Sequence, residues 1–592
     1  MAEAKIDIAI IPTSDPHMSE YIAPHYKERE YFSGFSGSAG TLVVEAKKAY
    51  LYTDSRYYIQ AQKELEGTGI QLMRDGEDNT PLLKDFLVTI ASTNQVVGFN
   101  GKLMDYSRGM VINKLLSQEG IKVNSKADFS LVWEGQPELE FRPQIIYDLK
   151  YAGESTVNKL NRLHESMDDE GVDSYVITSL DEIAYVMNMR GTDIACNPVF
   201  YAYMIITDKR AHLYANVTGP EADRIKEYIC ECGVELHAYE DFYSEGIQSV
   251  NNRTHKGVLL DYGKCNYEIV DAIDNSIRKI NKPSIVAQFK AVKNKIEIDN
   301  IRYANIMDGI ALVKFNKWLE EAVASGEKLT ELSVQDRLKA FRSENPAMLG
   351  DSFDTICAYG ENGAIVHYEA SFESNANIVP GSFLLIDSGA QYLEGTTDIT
   401  RTYAIGIVDD KLKHDYTLVL KAALKLMFSQ FKYGTRGSQL DMLVKDYYWS
   451  QGIDFGHGTG HGIGCYLNVH EAPVSISWRI REDGKAGVIF EPGMLVSDEP
   501  GMYREGEYGI RIETDLMCEE RFNNEYGRFL GFEPITLCPI DMNAIDRNDF
   551  GPEDIERLDK YHAHVRSMLL PYLDGELKDY LIKRTASYET LF

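Results

Sequence analysis

Cysteine is scarce in this chain, clusters of basic residues are missing, and no apolar run is long. The 592 residues contain 8 cysteines. They are scattered, and the one close pair, Cys230 and Cys232, has no second pair at zinc-finger spacing. A disulfide-stapled secreted fold is therefore excluded, and free thiols in a reducing cytoplasm are expected. The most apolar stretch, PVFYAYMII at 198–206, falls well short of the ~18 to 20 residues needed to cross a bilayer. The amino terminus, MAEAKIDIAIIP, sets Glu3 and Asp7 where a secretory leader would carry positive charge, so no leader is expected. The 61 Lys+Arg against 91 Asp+Glu leave a formal charge of −30, with no basic run in the sequence. Phosphate backbones and anionic bilayers are bound through clustered Lys/Arg, so neither nucleic acid nor membrane is an expected partner.

What the chain does have is enough apolar residues, 44% of the total, for several cores. IDIAIIP, the runs around Leu42 and Leu51, and Ile70 to Met73 read as strands, with a helical pattern over Ser55 to Leu65. A weaker copy follows in VDSYVITSLDEIAYVMNMRGTDIACNPVFYAYMIITDKRAHLYANV: strand, short helix, Gly-containing turn, two strands. Two related α/β domains, 1–140 and 141–290, are the simplest account, with the proline-bearing WEGQPELEFRP as the linker. From Ile296 the pattern becomes a long amphipathic helix stopped at Gly326, then a helix over Glu331 to Glu344 ended by Pro346. Glycine-punctuated strands follow, giving an α+β unit over 291–535 and a tail, 536–592, with helical periodicity from Leu558 to Leu577.

Chemistry concentrates in the third unit. In SFLLIDSGAQYLEGTTDITRTYAIG a hairpin would bring Asp387 and Asp398 together inside apolar strands. Such a pair is costly unless a cation, a shared proton or an arginine such as Arg401 neutralises it. Metal site and salt-bridged structural pair both stand at this point. In GMLVSDEPGMYREGEYGIRIETD a turn near Gly506 would bring Glu499 to Glu513. Between them, DFGHGTGHGIGCYLNVHEAP carries His457, His461 and His470 among glycines; the glycines disfavour helix and the glutamate of HExxH is missing, so irregular structure is expected and a zincin is not. His367 follows another glycine turn in AYGENGAIVHYEA. Each histidine alone reads as structural. Taken as a set, Asp387, Asp398, His461, Glu499 and Glu513 suit two divalent ions under bridging carboxylates, with Mn²⁺, Co²⁺ or Zn²⁺ favoured over a thiolate-loving metal.

These motifs, AYGENGAIVHY, LLIDSG, GTTDITRT, GHGTGHGIGCYLNVHEAP, SDEPG and GIRIETD, resemble those of aminopeptidase P, the Xaa-Pro aminopeptidases of the pita-bread metallopeptidases, in the long three-domain form. The resemblance covers nearly the whole chain. It implies two creatinase-like α/β domains acting as lid and dimer platform, a pita-bread catalytic domain, and a short extension packed on it. It also implies that Asp387 and Asp398 hold one ion, and that Asp398 and Glu513 bridge to a second completed by His461 and Glu499. In the family the attacking group is a metal-bridging hydroxide. Glu499 would take its proton and later deliver one to the leaving nitrogen, His367 and His470 would orient substrate and stabilise the tetrahedral intermediate, His457 would contact substrate, and Arg511 would support the carboxylates from behind. Mn²⁺ is the first choice of metal, with Zn²⁺ or Co²⁺ as substitutes. The implied protein is a cytoplasmic homodimer acting on peptides with proline in second position. A prolidase has the same ligand set but takes dipeptides only, and a non-catalytic pita-bread module would lack part of that set.

Overall fold

The first half of the chain builds two six-stranded sheets on one plan. Strands Ile8–Pro12, Thr41–Val44, Ala49–Thr53, Ile70–Arg74, Val96–Phe99 and Lys122–Asn124, counted in chain order, lie in the spatial order 4-3-2-1-5-6. Ser174–Ile177, Ala202–Thr207, Ala211–Ala215, Val234–His237, Val258–Leu260 and Lys279–Asn281 repeat it. The directions of pairing repeat as well. In each sheet strand 1 is antiparallel to 2 and parallel to 5, 2 is antiparallel to 3, and the outer pairs 3–4 and 5–6 are parallel. The apolar run at 198–206 is explained here: Ala202–Thr207 lies inside its sheet and every residue of it is buried. A strand covered on both faces has no polar alternation to show.

The structure, a computed structural model, describes residues 1, 5–479 and 487–591, and it separates into two units, Met1–Gln288 and Phe289–Phe592. The second unit opens with helix Lys295–Ser325. Its start is set by a capping box: the Asn294 side chain accepts the Ile296 and Glu297 N–H groups, and Glu297 accepts the Asn294 N–H at 2.9 Å. Such a cap contributes about 1 kcal/mol. Gly326, at φ +75°, ends it, as its sequence position suggests. Ile301, Ala304, Asp308, Leu312, Phe315 and Leu319 form the buried stripe. Asp308 is tolerated there because Arg342, on helix Glu331–Ser343, donates to it at 2.8 and 3.0 Å.

Two antiparallel sheets and a ribbon of this unit carry the residues of interest, and among the described residues two smaller sheets, Leu329–Thr330 with Asn377–Ile378 and Gly350–Asp351 with Ala390–Tyr392 and Gly395–Thr396, accompany them. One of the larger sheets runs Gln430–Lys432, Gly527–Pro534, Thr514–Asn524, Leu495–Asp498, Gly460–Gly462, Glu471–Ile476; the other runs Ile356–Tyr359, Ser382–Ser388, Ile399–Ile405. Gly501–Arg504 and Tyr508–Arg511 form the ribbon. The tail departs from the single helical pattern expected over Leu558 to Leu577. Helix Pro552–Leu569 gives way to a 3₁₀ turn, Leu570–Tyr572, before helix Gly575–Arg584. Pro571 has no N–H to continue the ladder, which accounts for the break. No described helix is long and apolar enough to cross a membrane, and all the cysteines are free.

Candidate metal centre

Two hairpins set the four carboxylates at strand ends. Strands Ser382–Ser388 and Ile399–Ile405 place Asp387 opposite Thr400 and Ser388 opposite Ile399, which leaves Asp398 one step past the ladder beside that end. In the other hairpin, Asp498 pairs with Thr514 and Gly501 pairs with Arg511. Both ladders share one register, so Glu499 and Glu513 occupy facing positions in the gap between them. Gly506, at φ +73°, makes the turn.

His461 comes from a strand and not from the irregular structure expected of a glycine-rich segment. Gly460–Gly462 pairs with Leu495–Asp498 on one side and Glu471–Ile476 on the other. The glycines are required by close backbone approach: a Cβ on Gly460 would lie 1.9 Å from the Ser497 carbonyl oxygen. His461 Nδ1 donates to the Gly462 carbonyl at 2.9 Å, which leaves Nε2 to face the carboxylates. Nε2 lies 3.5 Å from Asp398 Oδ2 and 3.4 Å from Glu499 Oε1. One ligand atom each from Asp398, His461 and Glu513 lies within 4.8 Å of the others.

Four carboxylates are crowded here with one guanidinium. Arg511 Nη2 donates to Asp387 Oδ2 at 2.6 Å, and its Nε donates to Thr400 Oγ1, which in turn donates to Glu513 Oε2 at 2.7 Å. Ser497 Oγ donates to Glu499 Oε1 at 3.2 Å. Asp387 Oδ1 is buried with no hydrogen-bond partner. Burial, reinforced by the charges of Asp398, Asp387 and Glu499, drives the Glu513 carboxyl well above the usual range. Burial also raises Asp387 against the pull of Arg511, and raises Glu499 against the pull of His461 and Arg511. Burial lowers His461, but Asp398 and Glu499 overcome it and push the imidazole up to about 10. Without cations this cluster must hold protons. The orphaned Asp387 oxygen, the inward imidazole nitrogen and the excess of negative charge all fit divalent ions.

The remaining residues expected from sequence lie around this core. His457 Nδ1 donates to the Gly458 carbonyl, and its Nε2 accepts from Tyr503 OH at 2.7 Å. Tyr503 OH accepts from Arg511 Nη1 at 2.8 Å, so a continuous chain runs His457–Tyr503–Arg511–Asp387. The His470 ring meets His461 edge to face, with centroids 4.3 Å apart. His367 follows the 3₁₀ turn Gly360–Ala364, and the carbonyl of its neighbour Val366 accepts from Arg511 Nη2 at 3.5 Å. Arg401, the alternative partner for the aspartates, instead donates to the Glu513 carbonyl, to the Cys538 carbonyl at 2.9 Å and to Tyr561 OH at 2.6 Å. Residues 398 and 400 share a strand face and 401 takes the opposite one.

Sequence reasoning missed Thr400, Ser497, Asp515 and Tyr503. Asp515 accepts the Asp398 backbone N–H at 3.3 Å. The first three each lie two residues from an acidic ligand candidate, and strand alternation could have singled them out. Tyr503 carries no such signal, because its role depends on how the ribbon pairs.

Carboxylates and one imidazole grouped at a buried point are a donor set suited to a metallohydrolase. Residues 299–520 match the metallopeptidase family M24 and 528–588 the C-terminal region of peptidase M24, while 1–128 and 135–297 match creatinase/prolidase N-terminal domains. The chain belongs to metallopeptidase family M24 and is a metal-dependent aminopeptidase, with creatinase-type α/β domains ahead of a pita-bread catalytic domain. It is 35% identical, over 99% of its length and 98% of the relative's, to a Sordaria macrospora protein named "Probable Xaa-Pro aminopeptidase P". A protein of that name from Neosartorya fischeri is 37% identical over 95% of this chain and 87% of its own. The crystal structure of X-prolyl aminopeptidase from Caenorhabditis elegans, described as a cytosolic enzyme with a di-nuclear active site, matches with TM-score 0.93 and 31% identity, covering 98% of this chain and 95% of that one. An Xaa-Pro dipeptidase from Bacillus anthracis matches with TM-score 0.51 and 28% identity, over 65% of this chain and 99% of its own.

Proposed function

We propose that this enzyme removes the first residue from peptides that begin Xaa-Pro, using two divalent ions, Mn²⁺ ahead of Zn²⁺ or Co²⁺, held by Asp387, Asp398, His461, Glu499 and Glu513. The observation that supports the reading is the grouping of Asp398, His461 and Glu513, with Glu499 3.4 Å from His461 Nε2 and Asp387 opposite Thr400 on the neighbouring strand. Bound there, the ions would polarise the scissile carbonyl and make water a competent nucleophile near neutral pH. Glu499, at the end of its strand beside His461, takes the proton of the attacking water and delivers it to the prolyl nitrogen. That delivery matters because the leaving group is a secondary amine that cannot depart as an anion. The Xaa-Pro bond has no N–H to grip, so recognition must come from shape around the proline ring. His367 and His470 orient the substrate and stabilise charge on the carbonyl oxygen. His457 lines the substrate side, tied through Tyr503 to Arg511, which holds Asp387 in place.

The same reading divides the chain into α/β domains 1–140 and 141–290, a catalytic domain 291–535 and an extension 536–592, and gives a cytoplasmic homodimer whose stoichiometry light scattering would measure. A length series tests the activity. Xaa-Pro-Yaa and longer peptides should release Xaa, matched peptides with alanine second should not, and the dipeptide Xaa-Pro should be the poorest proline substrate. Cleavage of the dipeptide alone would make the protein a prolidase.

A further inference from the structure

Far along the chain from the catalytic ligands, a second set of metal-ligating side chains comes together among the described residues: His212, Glu235 and His237. They lie on Ala211–Ala215 and Val234–His237, parallel neighbours of which the second forms the edge of its sheet. His212 pairs with Glu235 and Tyr214 with His237, so strand alternation puts all four side chains on one face.

His212 Nδ1 lies 3.2 Å from His237 Nε2 and 3.3 Å from Glu235 Oε2. A tetrahedral zinc ion with bonds of about 2.0 to 2.1 Å spaces its ligand atoms about 3.3 to 3.4 Å apart. The observed spacing is thus close to two edges of that tetrahedron before any ion is added. Neighbouring groups also fix the ligands. Tyr214 stacks on the His237 ring at 4.7 Å and 18°, and Arg210 pairs with the other oxygen of Glu235, which leaves Oε2 turned to His212. His212 is buried while Glu235 and His237 are half-buried, so the group opens to solvent on one side.

We propose that His212, Glu235 and His237 form a non-catalytic zinc site whose fourth position is open to water, and that the ion ties the edge strand of this sheet to its neighbour. Two imidazole nitrogens suit Zn²⁺ better than the oxygen-preferring Mn²⁺ or Mg²⁺, which gives the site a different selectivity from the carboxylate-rich catalytic centre. Without an ion, the same contacts reduce to a proton shared between two imidazoles beside a carboxylate, and metal analysis separates the two cases.

The test uses the full chain with its catalytic metal in place, equilibrated with micromolar Zn²⁺, desalted and analysed by inductively coupled plasma mass spectrometry. Wild type should carry one more zinc ion per chain than either His237→Gln or Glu235→Ala. Both variants should keep wild-type peptide hydrolysis, and added Zn²⁺ should raise the melting temperature of wild type alone. Equal zinc content in wild type and in either folded variant would overturn the proposal, as would a zinc-induced rise in melting temperature that survives both substitutions.

Discussion

At the residue scale, the catalytic centre is governed by how protons and cations compete for the same buried oxygens. The folded, metal-free chain holds His461 at about 10 against an ordinary value of 6.5. The stability gained from its charged form is therefore fully present below pH 6.5 and lost as pH rises through 10. Glu499, Glu513 and Asp387 are also raised, so they favour the fold when neutral and oppose it once ionised. The metal-free protein should lose melting temperature as pH climbs from 6 to 10, and divalent ions should restore it by an amount that grows with pH. Metal binding should release protons, which calorimetry in buffers of different ionisation enthalpy would measure; pH-independent metal affinity would contradict this account. The link through Tyr503 gives a second expectation. Tyr503→Phe removes the hydroxyl between His457 and Arg511 and should cost about 10- to 100-fold in kcat/KM or metal affinity. Wild-type values for both would show that the link has no part in catalysis.

At the scale of elements, backbone approach decides whether the site forms. Gly509, in the ribbon strand Tyr508–Arg511, packs so tightly that a Cβ there would fall 1.6 Å from the Gly363 carbonyl oxygen. Gly509→Ala must push away the 3₁₀ turn that precedes His367. A loss of about 1 to 3 kcal/mol in stability is expected, with a fall in kcat while the metal stays bound. Denaturant unfolding and metal analysis of the variant would check both parts. The hairpins were legible from sequence because acidic residues set in apolar strand runs are anomalous, and the two-residue period fixes where they point. The residues of the first hairpin alone left the supporting arginine open, with Arg401 the nearest in sequence, and it was the family resemblance that singled out Arg511. Strand pairing turns Arg401 toward Tyr561 in the tail helix and Arg511 toward Asp387. The break in the tail was also missed, although Pro571 carried the signal.

At the scale of the molecule, the repeated α/β plan was visible because strand order and turn positions recur along the chain, whereas the shared 4-3-2-1-5-6 sheet order rests on long-range pairing that no local pattern encodes. The formal charge of −30 counts four carboxylates that the account assigns to metal, so two divalent ions would bring the working enzyme closer to neutrality than composition suggests. The His212 cluster passed unnoticed for a related reason: its members are 23 and 25 residues apart in sequence and meet only across a parallel ladder.

The most direct test of the central claim is a titration of metal-stripped protein with Mn²⁺, following release of the first residue from an Xaa-Pro-Yaa peptide by mass spectrometry. Activity should be absent at the start, rise to a plateau at two ions per chain, and never appear in Asp398→Ala at any metal concentration. Full turnover by the stripped protein, or by the Asp398→Ala chain, would contradict the account.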